Sequence, residues 1–333
     1  MIVAGDRPHT EPVACGGLLV IGDPHVSSRR PGRRKDPDWP APVLAKLERC
    51  VAIANERGLA PIILGDLFDR AVEPDVGLKT RLIRILKQFR VRPTVNVGNH
   101  DIAHTTLSDG DSLAMLGLCD VVDVVAASGA VAEFQIAGRR LGVGMTPFGQ
   151  AIPRDVRGLF ADADAVAWFT HHDIAFEGAY PGAVPPFAIE GCETVVNGHV
   201  HGTKAPVRAG GTEWTNPGNI TRQSVDLMDH IPRAWILGPD RRLRPEPLPH
   251  AGDVFDLTGR LVEPARQSEV AGTLESAFVS LLKAECSTDA ARSDDGSLLT
   301  EEVEAKFERD GTPEAVRAVV RSLLTEAVGR RRG

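Results

Sequence analysis

The run PTVNVGNHD, residues 93–101, sets an apolar stretch directly against a glycine, an amide, an imidazole and a carboxylate. Taken alone, GNHD (98–101) reads as a turn, because Gly and Asn tolerate left-handed backbone and Asp caps a following helix. The competing reading is a strand that ends there and aims Asn99 and His100 at something. The flanking chain decides. GLLVIGD (17–23) and APIILGD (60–66) are short apolar runs that also end in Gly-Asp and read as buried strands. Between them, APVLAKLERCVAIANERG (41–58) places Val43, Leu44, Leu47, Val51 and Ala54 on one helical face and stops at a glycine. LKTRLIRILKQF (78–89) repeats that spacing with Leu78, Leu82, Ile85, Leu86 and Phe89. Strand, helix, strand, helix, strand implies parallel pairing in an α/β fold.

Beyond residue 130 the helical patterns thin out. EFQIAGRRLGVGMTPFG (133–149) reads as a hairpin with a Gly-containing turn. AVAWFTHHD (165–173) and CETVVNGHVH (192–201) are short β runs ending in histidines, and RAWILGPDRRLRPEPL (233–248) reads as two strands around a turn. A second sheet, more antiparallel than the first, is expected. From about residue 264 an amphipathic stripe of Val270, Leu274, Phe278, Leu281 and Leu282 is followed by a polar linker (287–297). A last helix is signalled by Thr312 as N-cap and Pro313 at its first position. The expected architecture is an α/β two-sheet β-sandwich flanked by helices over 1–263, with a small helical appendage at 264–333.

Bulk properties exclude several classes. With 25% charged and 42% apolar residues the chain is of ordinary globular composition, and a net charge of −7 argues against a uniformly basic nucleic-acid coat. Five widely spaced cysteines without a CxxC suit a reducing compartment, not a disulfide framework. No apolar run approaches the length of a membrane span, and MIVAGDRPHTEPVACGG lacks a signal-peptide pattern. The expected location is the cytoplasm, with no membrane association.

The polar residues gather where the strands end. GDPH supplies Asp23 and His25, GDLFD Asp66 and Asp69, GNHD Asn99 and His100, THHD His171 and His172, and NGHVH His199 and His201. Open α/β folds build their sites outside the carboxyl ends of strands, so these five segments should meet on one rim. Carboxylate, amide oxygen and imidazole without thiolate are donors for divalent transition metals in a reactive, non-structural site. In extended backbone, residues i and i+2 point the same way, so Asp23 with His25, and His199 with His201, are each able to grip one ion. Two ions sharing a carboxylate would use so many donors; one would not.

The ordered set D-x-H, G-D-x-x-D, G-N-H-D, H and G-H-x-H over residues 17–201 resembles the calcineurin-like metallophosphoesterase family. The resemblance implies a first ion held by Asp23, His25 and His201, a second held by Asn99, His171 and His199, and Asp66 bridging them. It implies two divalent ions, manganese foremost, with iron, zinc, cobalt and magnesium compatible, and hydrolysis of a phosphoester by a metal-held hydroxide. His100 would be the non-ligand histidine that contacts phosphate and protonates the leaving oxygen, and Asp69 would orient a histidine. Alternation lets only one of His171 and His172 face the ions, and the family pattern selects His171, leaving His172 on the rim.

Within the family the wording is most like the SbcD-type DNA exonucleases. SSRRPGRRKD (27–36) follows the first motif and carries Arg29, Arg30, Arg33, Arg34 and Lys35, a loop able to track a phosphate backbone or simply a solvated linker. NPGNITRQS (216–224) resembles a segment of those nucleases, with Arg222 either a phosphate contact or an ordinary surface arginine. A DNA exo- or endonuclease of repair or recombination is expected. The rivals are a small-molecule or cyclic-nucleotide phosphodiesterase, a phosphoprotein phosphatase, or a scaffold that has lost its metals, against which every donor is present. For the tail, an SMC-like ATPase partner, packing on the core and homodimerisation all remain open. There is no P-loop, H-E-x-x-H or G-x-S-x-G.

Overall fold

The computed structural model describes residues 11–160, 162–177 and 182–257, together with Val303, Glu304, Phe307, Glu314, Arg317, Val320 and Arg321. In chain order the strands and helices are β1 (Val13–Cys15), β2 (Leu18–Ile21), α1 (Pro40–Arg57), β3 (Ala60–Ile63), α2 (Val76–Leu86), β4 (Thr94–Asn96), α3 (Ser112–Leu118) and β5 (Asp123–Val125). There follow β6 (Gly129–Ile136), β7 (Arg139–Thr146), β8 (Ala165–His171), β9 (Thr194–Gly198), β10 (Lys204–Ala209), β11 (Thr212–Asn216), β12 (Arg233–Leu237) and β13 (Leu243–Pro247).

Every residue of β2, β3 and β4 is buried, as parallel strands covered on both faces must be. The register pairs Leu18 with Ala60 and Ile62 with Thr94. The crossovers are α1 and α2, as the spacing predicts. Pro40 opens α1 with a ring that needs no N–H, and Gly58 closes it at φ 63°, a left-handed position that favours glycine. Asp75 caps α2 by accepting the Leu78 N–H at 2.9 Å.

These strands belong to a six-stranded sheet of order β13-β12-β2-β3-β4-β5, which lies beside a seven-stranded sheet of order β1-β6-β7-β8-β9-β11-β10. Leu18, Val20, Ile62 and Leu64 from the first and Phe134, Val143, Phe169 and Val196 from the second share one apolar layer between the sheets. A second layer joins the other face of the first sheet to α1, α2 and α3 through Leu19, Ile21, Leu47, Leu82 and Leu113. A third, around Trp168, Val195 and Trp214, is covered by connecting loops. This mixed α/β sandwich with few flanking helices is the architecture the sequence leads one to expect.

Two expectations about pairing are corrected. The second sheet is not the more antiparallel one: β1–β6, β7–β8, β8–β9 and β9–β11 all run parallel. The chain recrosses between β7, β8 and β9 through 147–164 and 172–193, whose described residues contain no helix, so the usual sequence mark of a crossover is missing. The β12–β13 hairpin extends the first sheet instead, with β12 antiparallel to β2.

These thirteen strands and three helices lie in one compact unit; a second unit contains Arg33–Lys35, Gln223–Asp229, 254–257 and the seven described residues between 303 and 321. In that second unit Arg34 pairs with Phe255, and Val225, Val254 and Phe255 form a small apolar cluster. Val303, Glu304, Phe307, Glu314 and Arg317 are helical; the Arg321 guanidinium donates to Glu304 at 2.6 Å. The expected boundary at 263/264, the first tail helix and the polar linker lie outside the described residues.

Candidate metal centre

Parallel pairing aligns the carboxyl ends of β2, β3 and β4 in one sheet and of β8 and β9 in the other, and the polar residues stand just past them. The loops there are stitched to one another by backbone. His25 N–H donates to Asp66 carbonyl at 2.9 Å, Phe148 N–H to Val97 carbonyl at 2.9 Å, and Asn96 Nδ2 to Thr146 carbonyl at 2.9 Å, the last two linking the sheets.

Three donor groups result: Asp23 with His25 and His201, Asp66 with His171 and His199, and, beside the first, His25 with Asp69 and His100. In the first, the Nε2 atoms of His25 and His201 approach to 2.9 Å. In the second, Asn99 Oδ1 lies 2.8 Å from His199 Nδ1 and 3.2 Å from His171 Nε2, and Asp66 Oδ2 lies 3.2 Å from His171 Nε2. The same Asp66 oxygen is 3.7 Å from His25 Nε2, so it stands between the clusters. Donors held about 2.1 Å from a shared ion at right angles would be about 3.0 Å apart, which is the spacing found. Asp23 Oδ1 is buried and accepts no hydrogen bond among the described residues, and the buried Asp66 Oδ2 faces only the ring nitrogens of His171 and His25, an arrangement that a bound cation would offset. The donor set therefore fits two divalent ions.

The alternation argument needs correction. Asp23, His25, Asp66 and His199 adopt φ of 32°, 47°, 47° and 74°, so none is in extended backbone. Asp23 and His25 do share a cluster, because a left-handed turn past β2 folds both inward; His199 and His201, at the same spacing, divide between the two clusters. Four of the seven non-glycine residues with positive φ among the described residues carry these donor side chains, so backbone strain is concentrated at the rim.

The glycine of GNHD also works differently from a turn residue. Its φ is not positive, but a Cβ built on Gly98 would collide with Asp66 Oδ1 and the Asp66 backbone nitrogen and sit 2.8 Å from Asp66 Cγ. The missing side chain is the space the Asp66 carboxylate occupies. Asp66 Oδ1, in turn, accepts the His100 N–H at 2.8 Å. Asp101 is fully buried and accepts the N–H groups of Gly98 at 3.0 Å and Phe68 at 3.1 Å, locking the loops after β3 and β4 together.

Electrostatics follow from burial and pairing. Burial opposes charge on Asp66, yet His171 and His100 beside it hold the carboxyl well below the ordinary range. Burial would lower His171, but Asp66 and Asp23 raise it to about 9. Burial raises Asp23, and burial with the Asp66 charge raises Asp101 to about 7. Burial and then His25 hold His201 well below the usual imidazole value. A proton on His171 and an ion at that site would compete for one nitrogen.

The remaining site residues take distinct positions. His100 directs Nδ1 at the Asp69 carbonyl, 2.8 Å away, and its half-buried ring packs edge-on to His25 at 5.0 Å. Asp69 Oδ1 lies 3.5 Å from His25 Nδ1, behind the face that meets His201. His172 turns away, its Nε2 donating to the Gln150 carbonyl at 2.8 Å; burial lowers its pKa to about 4, which leaves it neutral. Phe148 lies against the imidazoles of His171, His172 and His199. Asp173, which sequence reading passed over, places Oδ1 3.0 Å from His199 Nε2; its only mark in the sequence is its place after THH.

The basic residues do not act as one patch. Arg29, Arg30 and Lys35 are exposed and Arg33 is half-buried. Arg34 is 4% exposed, with its guanidinium carbon 5.4 Å from the centre of the Phe255 ring. Arg222 is 4% exposed and donates to the carbonyls of Ala251 and Gly252. Arg34 and Arg222 are therefore not exposed phosphate contacts; their guanidiniums are spent inside the protein.

No family model matches the chain, and no curated protein matches it. Among solved structures it is similar to TT1561 of Thermus thermophilus, with 13% identity and a TM-score of 0.40 over 70% of this chain and 99% of that one. It is also similar to a 5'-nucleotidase precursor from the same organism, with 13% identity and a TM-score of 0.40 over 69% of this chain and 54% of that one. The chain thus spans about half the length of that second protein.

Proposed function

We propose that this protein is a two-metal phosphoesterase whose substrate is a phosphodiester of DNA. One observation carries the reading: seven donor side chains from five strand ends converge, with one oxygen of Asp66 lying 3.2 Å from His171 Nε2 on one side and 3.7 Å from His25 Nε2 on the other. Asp23, His25 and His201 would hold one ion, Asn99, His171 and His199 the other, with Asp66 between. Such a pair, when bound, polarises a phosphoryl group and acidifies water enough to supply a nucleophile near neutral pH.

The chain's own residues do the rest. The Asp69 carbonyl accepts the Nδ1 proton of His100, which fixes the ring and leaves Nε2 as the nitrogen available to substrate. Protonated there, His100 gives the Nε2 proton to the leaving oxygen as its bond to phosphorus breaks. Its N–H bond to Asp66 Oδ1 keeps that proton donor in register with the donor clusters. Arg29 and Arg30 are exposed and follow His25 by only a few residues, which supports a polyanionic substrate.

Purified protein supplied with Mn²⁺ should cleave bis-p-nitrophenyl phosphate and single- or double-stranded DNA. Cleavage of the small ester with DNA left intact would move the assignment to a small-molecule phosphodiesterase. Failure on all three substrates with metal bound would overturn the phosphoesterase reading.

A further inference from the structure

The His199 ring is less enclosed than those of His25 and His171. Its side chain is 21% exposed, against 0% for His25 and His171. It stands one residue beyond β9, and its backbone N–H is tied to Asp23 Oδ2 at 2.8 Å. That tie fixes the backbone but not the ring, which still turns about its side-chain bonds. Nδ1 meets Asn99 Oδ1 at 2.8 Å, and the opposite nitrogen, Nε2, meets Asp173 Oδ1 at 3.0 Å. Two ring nitrogens diverge too widely to face one ion, so Asp173 holds the ring from behind and is not a ligand.

We propose that Asp173 is a positioning residue that sets the occupancy of one ion site, through His199, without acting on the other. This rests on the two-ion reading above. The other rings are anchored differently: His171 Nδ1 donates to the Leu64 carbonyl at 3.1 Å, a buried strand-end group that no side-chain substitution removes. His25 has Asp69 on its outer nitrogen at a longer 3.5 Å, on an enclosed ring, whereas His199 meets Asp173 at 3.0 Å on a ring that solvent reaches. Asp173 is carried by the excursion between β8 and β9, where its carbonyl accepts the Val184 N–H at 2.8 Å and the Glu177 carbonyl accepts Lys204 Nζ at 3.0 Å. A surface segment therefore reaches one site of the pair through a single side chain. Carboxylate partners of this kind typically contribute ten- to hundred-fold to metal affinity.

The test is Mn²⁺ titration by calorimetry on the metal-free full chain, for wild type, Asp173→Ala and Asp173→Asn, with metal content after dialysis and thermal melting without metal as second readouts. Asp173→Ala should weaken one of two binding events by about ten- to hundred-fold and leave the other unchanged. Asp173→Asn, which keeps an acceptor oxygen, should fall between Ala and wild type, and the metal-free melting temperatures should coincide. Wild-type protein with two ions, alongside Asp173→Ala with the same two affinities, overturns this inference alone. Equal weakening of both sites overturns it too. Wild-type protein that takes up fewer than two ions overturns the two-ion reading, and this inference with it.

Discussion

Gly98→Ala tests whether the Asp66 carboxylate is placed by steric room. The new Cβ would overlap Asp66 Oδ1 and the Asp66 backbone nitrogen, and lie 2.8 Å from Asp66 Cγ. Backbone nitrogen does not yield as the end of a flexible side chain would, so the loops after β3 and β4 must separate. That movement breaks the His100 N–H bond to Asp66 Oδ1 and strains the two bonds Asp101 accepts. A hydrogen bond to a charged group contributes about 1.5–3 kcal/mol and overpacking costs about 1–3 kcal/mol, so about 2.5–6 kcal/mol of stability should be lost. Urea denaturation of metal-free protein measures it. The same variant should lose Mn²⁺ at both sites, because Asp66 Oδ2 leaves its place between them. A stability within about 0.5 kcal/mol of wild type, with both ions still bound, would refute the steric account.

Three further outcomes are expected. His100→Ala should keep both ions, by metal analysis, and lose about 10²- to 10⁴-fold in turnover; loss of an ion instead would make His100 a ligand. With His171 raised to about 9 in the metal-free protein, its proton must leave before an ion binds, so Mn²⁺ affinity should rise with pH by up to about tenfold per unit below pH 9 and level off above it. An affinity independent of pH across that window would contradict the pairing of His171 with Asp66 and Asp23. Replacing Arg29 and Arg30 by Gln should each reduce the salt slope of DNA binding by about 1, whereas Arg222→Gln should cost about 1–3 kcal/mol of stability and leave the slope alone.

The parallel core was legible because burial on both faces leaves unbroken apolar runs such as LLVI and PII, and because α1 and α2 declare themselves by spacing and end signals. The parallel course of β7, β8 and β9 was not, since loops and not helices carry the chain back across the sheet. That these polar residues come together was readable from their places at strand ends. Strand alternation alone did not divide them, because left-handed backbone at Asp23, His25 and His199 overrides it. The basic run shows a related limit: Arg34 sits among its like-charged neighbours in sequence, yet Phe255, more than two hundred positions away, takes its guanidinium out of solvent. Asp173 was silent for the same reason, being defined by a partner on another strand end.

The four donor residues held at positive φ store about 1–2 kcal/mol apiece. Backbone bonds such as His25 N–H to the Asp66 carbonyl and His199 N–H to Asp23 Oδ2 hold these positions in the folded chain. Capture of an incoming ion should therefore call for turning of side chains such as the His199 ring, and not for movement of the loops that carry them.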